Sequence, residues 1–510
     1  MVLYDKITPL IGQKFCLYHK IKQKVSLLIM FRQIIIILAY VILTTGYVYP
    51  ALPSQLPSPS PQINNLEPIK KSDRILVIAP HPDDEVIGCA GIIQEAVKVG
   101  ADIHIAYLTN GDHNEFAFII YEKRLTLRKT EFIYLGEVRR SEAIRAMELL
   151  GLNEKNLIFL GYPDFGTFVI FSQHWQDTKP CRSLLTRISA VPYKENLSFQ
   201  APYRGESILA DFKKLLLTYK PNKIFISHPA DTNVDHKSAY LFLQVALADV
   251  EKIIPKPKIY PYLIHCVGWP LPRHYHPELP LAPPKKFLDS PIQWLKYDLD
   301  QEKLNKKYRA ILCYKSQTES SAFYLLSFAR EDELFGDYPP IELTLQLQGP
   351  TTGTEKQGPL EYKAISFSGS SNMFADSVIG EINSLGNLTK GKEQVSYALS
   401  DSSFLIRMDK TKERRRRLNI VFYLFGYNHK TPFANMPKIR IITKYNKFKV
   451  FDARKMIKPE GITLELNTKE LILKIPLKIL GEPDFVLTSV RAHTGILSFD
   501  TIGFRKINIK

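Results

Sequence analysis

The run Ile75-Leu-Val-Ile-Ala79 stops at Pro80 and is followed at once by His81, Asp83, Asp84 and Glu85. An apolar run without polar alternation reads as a strand buried on both faces, as in parallel sheets covered by helices. In such sheets the loops at the carboxyl ends of the strands converge on a crevice, so this polar cluster lies where chemistry is delivered. His81 and Asp84 are three apart, and one helical turn points both at one spot with Asp83 beside them. That arrangement suits a divalent metal with two protein ligands and a carboxylate next to the attacking water. The same residues would also serve as a plain turn in which Asp83 or Asp84 caps the next helix.

The chain beyond this strand alternates strands and helices to about Ser316. Helices are expected over 88–99, 140–150, 206–219, 237–250 and 301–313, with strands over 103–108, 156–160 and 223–227 between them. That order predicts an α/β fold: a Rossmann-like, mostly parallel sheet with flanking helices. Polar groups follow four of the strands, at His81–Glu85, Thr109–Asp112, Gly161–Gly166 and His228–His236, and would meet at one sheet edge. No GxGxxG follows the first strand, so no dinucleotide site is expected. Residues 166–202 lack periodicity and are expected to form an insertion loop near the site mouth. From about Tyr338 short apolar segments separated by turns predict a second, all-β sandwich domain. The domain division is therefore a leader over 1–50, a Pro/Ser-rich linker over 51–70, a catalytic domain over 71–337, a linker over 338–360 and the sandwich over 361–510.

The second chemical cluster is His228-x-x-Asp231-x-Asn233-x-Asp235-His236. A metal seeking a third protein ligand would find it in one of these histidines, and two histidines with one carboxylate leave open positions for water and substrate. The bland alternative is a capped helix start, with Asp235 well placed as the cap.

Taken together, Pro80–Glu85, Thr109–Asp112, Arg139–Glu142, Leu160–Asp164 and Asp231–His236 resemble the PIG-L/LmbE-like family, zinc-dependent N-deacetylases of N-acetylglucosamine-containing glycoconjugates. Lys307–Gln317 and Phe328–Phe335 extend the likeness, which covers roughly residues 75–335. The resemblance implies His81, Asp84 and His236 as ligands of zinc(II), or of iron(II) in its place, and Asp83 as general base. It implies that Arg139 and Asp164 contact the amino-sugar substrate. One departure stands out: Asn233 occupies the position where the family commonly carries a histidine. An amide can still donate to an oxyanion, a contribution of about two to three powers of ten in rate, but it cannot carry a proton. Asp83 recycling its proton, His228 or His265 would have to protonate the leaving amine. Two further readings stay open: an exported carbohydrate-binding protein with a decayed site, and a metal hydrolase of another N-acyl amide.

The remainder of the sequence bears on location and partners. Ile34–Val48 is an almost unbroken apolar run behind Arg32 and upstream lysines, followed by a Pro/Ser-rich exit. Translation from Met30 would make it a secretory signal; translation from Met1 favours an uncleaved anchor and membrane association through residues 31–50. Either way the bulk of the chain is expected to be exported, in the envelope, periplasm or extracellular space. The net charge is +17, and its most concentrated run, Lys410–Arg417, is short and read as an exposed hairpin loop. No nucleic-acid-binding motif accompanies it, so no nucleic-acid partner is expected. The five cysteines form no CxxC pair and are too few for a disulfide scaffold. The stretches Leu487–His493 and Asp500–Phe504 weakly resemble β-sandwich carbohydrate-binding modules.

Overall fold

The computed structural model describes residues 63–113, 128–176, 179–288, 290, 292–343, 363–366, 394–400, 402–409, 419–444, 447–466, 470–494, 497–501 and 503–510. The expected leader, Lys410–Arg417 and most of the interdomain linker lie outside these residues. Among the described residues no helix is long and apolar enough to cross a membrane.

In chain order the first part comprises β1 (Asn64–Asn65), β2 (Arg74–Ala79), α1 (Asp84–Val99), β3 (Asp102–Thr109), α2 (Lys129–Leu149), β4 (Leu157–Tyr162), α3 (Thr167–Gln173), α4 (Gly205–Tyr219), β5 (Lys223–Ser227), α5 (Val234–Val250) and β6 (Lys258–Tyr262). Then follow β7 (Gln293–Asp298), α6 (Gln301–Ile311), α7 (Lys315–Leu325) and β8 (Asp332–Asp337). The sheet order is β1-β7-β8-β6-β5-β2-β3-β4. The five strands from β6 to β4 run parallel, and β8 pairs antiparallel with both β6 and β7. Chain connections leave β2 towards β3 on one side and return to β5 on the other. The gap between the ends of β2 and β5 is therefore the switch point at which open α/β sheets bind ligands. Ile75, Val77 and Ala79 pack into one apolar layer and Leu76 and Ile78 into the other, which is why β2 carries no polar alternation.

The second part comprises β9 (Ile341–Leu343), β10 (Lys363–Ser366), β11 (Gln394–Ser400), β12 (Ser403–Asp409), β13 (Asn419–Tyr427), β14 (Lys438–Lys444), β15 (Lys447–Asp452), β16 (Lys455–Ile457), β17 (Thr463–Leu466), β18 (Glu470–Pro476), β19 (Phe485–Thr494), β20 (Leu497–Thr501) and β21 (Arg505–Ile509). One sheet runs β10-β11-β12-β18-β17 and the other β16-β15-β14-β13-β19-β21-β9, with β20 on β19. Phe404, Ile406 and Leu473 from the first sheet share an apolar layer with Phe422, Ile441 and Val490 from the second.

The expected boundaries move in two places. Leu66 and Ile69, assigned to a linker, are buried in the α/β core, and β1 pairs with β7. Ile341–Leu343, also assigned to a linker, pairs parallel with β21. The two parts are fused more deeply than a linker implies. Residues 166–202, expected as a loop, contain α3, whose Phe171 meets Phe425 at 5.1 Å between ring centroids. Trp175 beyond it meets Phe433 at 5.2 Å. Phe504 donates its backbone N–H to Pro229 O at 3.1 Å, in the loop after β5. The approach there needs a glycine at the neighbouring residue: a Cβ on Gly503 would lie 2.6 Å from Ala230 Cα. Each buried aromatic of this seam contributes roughly 2–3 kcal/mol of burial.

Candidate metal centre

β2 ends at Pro80, whose carbonyl accepts from both Thr109 N and Thr109 Oγ1 at 3.0 Å. The chain then turns into α1 through Asp83, which adopts φ 124° and ψ −30°, a costly conformation for a residue with a side chain. Neither Asp83 nor Asp84 caps the helix with its side chain. Instead Asp84 Oδ2 accepts from His81 N at 2.9 Å and lies 3.2 Å from His81 Nδ1 and 3.1 Å from His236 Nε2. Ligand atoms of His81, Asp84, His236 and His265 all lie within 4.8 Å of one another. Donor atoms on one tetrahedral zinc stand about 3.3 Å apart, so the 3.1 and 3.2 Å spacings around Asp84 Oδ2 would suit a shared cation as well as the ion pairs they form without one. Both ring nitrogens of His236 are buried and make no aligned hydrogen bond, although carboxylate oxygens stand at 3.1 and 3.2 Å. That donor set fits a divalent metal.

The electrostatics point the same way. Burial opposes charge on His236, yet Asp231 and Asp84 push its pKa up to about 9. His81 is likewise raised well above the usual imidazole value against burial, first by Asp164. Burial alone would raise Asp84, but His236 and His81 hold its carboxyl well below the ordinary range. The pocket thus stabilises positive charge.

Carboxylates behind the histidines fix their orientation. Asp231 Oδ2 lies 3.2 Å from His236 Nδ1 and also accepts from Ile264 N and His265 N. Asp164 and Asp235 stand 3.2 and 3.3 Å from His81 Nε2. Such carboxylate–histidine contacts set the ligating tautomer. Asp235, expected as a helix cap, is buried here and accepts from Phe165 N, Thr167 N and Thr167 Oγ1. The cap is Asn233, whose Oδ1 accepts from Asp235 N at 2.8 Å. This engages the amide oxygen and leaves the amide N–H groups as Asn233's donors.

Asp83 lies beside this group. Burial pushes its pKa up to about 7, with Arg139 opposing and Asp84 reinforcing the rise. Arg139, expected to contact substrate, is buried and committed inward: Nη2 donates to Pro82 O at 2.6 Å and to Asp83 Oδ2 at 3.2 Å, and Nη1 to Gly111 O at 3.1 Å. Gly111 has φ +68°, and a Cβ there would sit 2.1 Å from Nη1. Asp164, also expected on the substrate, is buried against His81. His228 is not brought to the site. It is buried among Trp294, Phe287 and Tyr338, its Nδ1 accepts from Ala230 N at 3.1 Å, and burial pushes its pKa down to about 3. An imidazole without solvent or site contact cannot relay a proton to a leaving group. Glu85 also turns inward, accepting from Asp83 N and the Tyr314 hydroxyl. His265, expected near substrate, joins the ligand group.

Fold and site together define an α/β protein with a candidate divalent-metal centre at the switch point of its parallel sheet. Residues 76–247 match the family described as PIG-L: GlcNAc-PI de-N-acetylase. The 1D-myo-inositol 2-acetamido-2-deoxy-alpha-D-glucopyranoside deacetylase of Mycobacterium sp. (strain KMS) is 26% identical over 204 residues, 39% of this chain and 56% of the relative. The enzyme of that name from Mycolicibacterium smegmatis is 25% identical over 209 residues, 40% of this chain and 59% of the relative. This chain thus spans little more than half the length of these curated relatives. Among solved structures, the N,N'-diacetylchitobiose deacetylase of Pyrococcus horikoshii shares 19% identity with a TM-score of 0.31, over 49% of this chain and 72% of that one.

Proposed function

We propose that this chain is an exported, metal-dependent N-deacetylase of an N-acetylglucosamine-type glycoconjugate, with zinc(II) as the ion and iron(II) the alternative. The observation that carries the reading is the convergence of His81, Asp84 and His236 with Asp83 held beside them. The curated relatives named as deacetylases of a 2-acetamido sugar support the substrate class. The apolar run at Ile34–Val48 supports export.

A bound divalent ion would polarise the acetamide carbonyl and make water a nucleophile near neutral pH. Asp83 removes the proton of the attacking water, and Arg139 keeps its carboxylate aimed. Asp231, Asp164 and Asp235 hold the two ligating imidazoles in register. The Asn233 amide donates to the developing oxyanion. As the C–N bond breaks, Asp83 returns its proton to the amine, since His228 is out of reach. The products are acetate and a free amino sugar.

The test is paired: metal content by elemental analysis, and acetate release from N-acetylglucosamine glycans, for the full chain and its Asp83→Ala variant. Stoichiometric metal in both, with release lost only in the variant, is expected. Metal without release from any acetamido sugar would favour a carbohydrate-binding protein or a hydrolase of another amide.

A further inference from the structure

The centre read above from His81, Asp84 and His236 has three protein ligands, two nitrogens and one carboxylate oxygen, and this chain brings up a fourth donor, a third imidazole. His265 lies just past β6, a strand whose end carries no polar motif in the sequence. Its ring sits 4.7 Å from that of His236, at 76°. Its ligand atom falls within the same 4.8 Å group as those of His81, Asp84 and His236. No described residue hydrogen-bonds either of its ring nitrogens.

The backbone around His265 is pinned to the loop that delivers His236. His265 N donates to Asp231 Oδ2 at 2.8 Å, and His265 O accepts from Thr232 N and Thr232 Oγ1 at 2.9 and 3.0 Å. That same Asp231 oxygen is the one facing His236 Nδ1. One carboxylate therefore sets the spacing of two imidazoles from different strand ends. Tyr324 stacks on the other side of His265, its ring 6.2 Å away, and donates its hydroxyl to Ile264 O. The fixed backbone thus presents the His265 ring nitrogens beside the ligand set.

We propose that His265 is a fourth protein ligand of the metal, giving a three-histidine, one-carboxylate shell. The inference rests on the metal-centre reading above. Four protein donors would be the number that a closed tetrahedral zinc site takes, so His265 would also limit how readily water and substrate reach the ion. The shell holds the ion more firmly than three donors would.

The test counts imidazoles directly. X-ray absorption on the full chain loaded with stoichiometric zinc is expected to show three imidazole ligands, falling to two in His265→Gln. Zinc affinity measured by chelator competition should drop about 10- to 100-fold in that variant, at least the loss seen for outer-shell partners. The His228→Asn variant should change neither quantity. Two imidazoles in the unmodified protein would overturn the proposal without recourse to any variant. So would an unchanged affinity and count in His265→Gln. A chain that binds no zinc at all would overturn the three-ligand reading along with it, whereas two imidazoles with tight binding would overturn the fourth ligand alone.

Discussion

Arg139 Nη2 donates to Asp83 Oδ2 at 3.2 Å while holding Pro82 O at 2.6 Å, so one guanidinium clamps both the side chain and the strained backbone of Asp83, the proposed base. Arg139→Met keeps the volume and removes the clamp. The expected result is a fall in kcat of about 100-fold, the scale of a misplaced catalytic group, with metal content unchanged. Steady-state kinetics beside elemental analysis checks it. A rise in KM with kcat intact would instead mean that Arg139 binds substrate.

Asp235 supports the site from behind His81 and anchors the start of α3 through Phe165 N and Thr167. Asp235→Asn replaces one carboxylate oxygen with a donor, which faces donors already in place. Metal affinity is expected to fall about 10- to 100-fold, with secondary structure retained by circular dichroism. Chelator competition provides the number.

His228 makes an acid-sensitivity prediction. Its folded pKa is about 3, below the ordinary 6.5. Between those values the unfolded chain binds more protons than the folded one, so stability falls as pH drops from about 6.5 towards 3. The slope from this group is about 1.4 kcal/mol per pH unit. His228→Asn retains an acceptor for Ala230 N and should flatten that part of the profile in denaturant titrations. Deacetylation at neutral pH should be unaffected, because the residue is walled off by Trp294, Phe287 and Tyr338.

Phe504 packs its ring 5.7 Å from Phe168 and 6.1 Å from Phe425 and is 2% exposed. Phe504→Ala opens a cavity in the seam and should cost about 3–5 kcal/mol. The denaturant midpoint should shift accordingly. Because Pro229 and Ala230 lie against this turn, metal retention is expected to weaken as well.

The α/β half was legible because its strands are buried on both faces and its polar groups sit just after them. Lys223–Ser227 coincides with the expected strand, and helix ends differ by a few residues except α2, which begins at Lys129 instead of near Arg140. There Phe132, Leu135 and Gly136 face the core, but the intervening polar residues blur the period. The roles of polar residues read less well. Asn233 and Asp235 are both good capping types two apart, and only the packing of α3 against α5 decides which turns inward. Arg139 looks like a solvated helix residue until Gly111 and Pro82 are seen to meet it. His265 carries no motif, and its place depends on the pairing of β6 with β5, a tertiary fact. The helix α3 within residues 166–202 was not legible because Phe171 and Trp175 lie in a stretch without periodicity, where an aromatic reads as well for a loop as for a seam.

That seam bears on how such a chain arises and changes. A catalytic unit joined to an accessory module by a tether can be exchanged, trimmed or lost in a single recombination event. Here Phe425, Phe433 and Phe504 complete the wall behind Phe171 and Trp175, so a crossover between the halves would leave each with a bare aromatic face. A chain holding only one half would need new polar side chains where these rings now pack, and a change of size on one side of the seam would have to be met on the other.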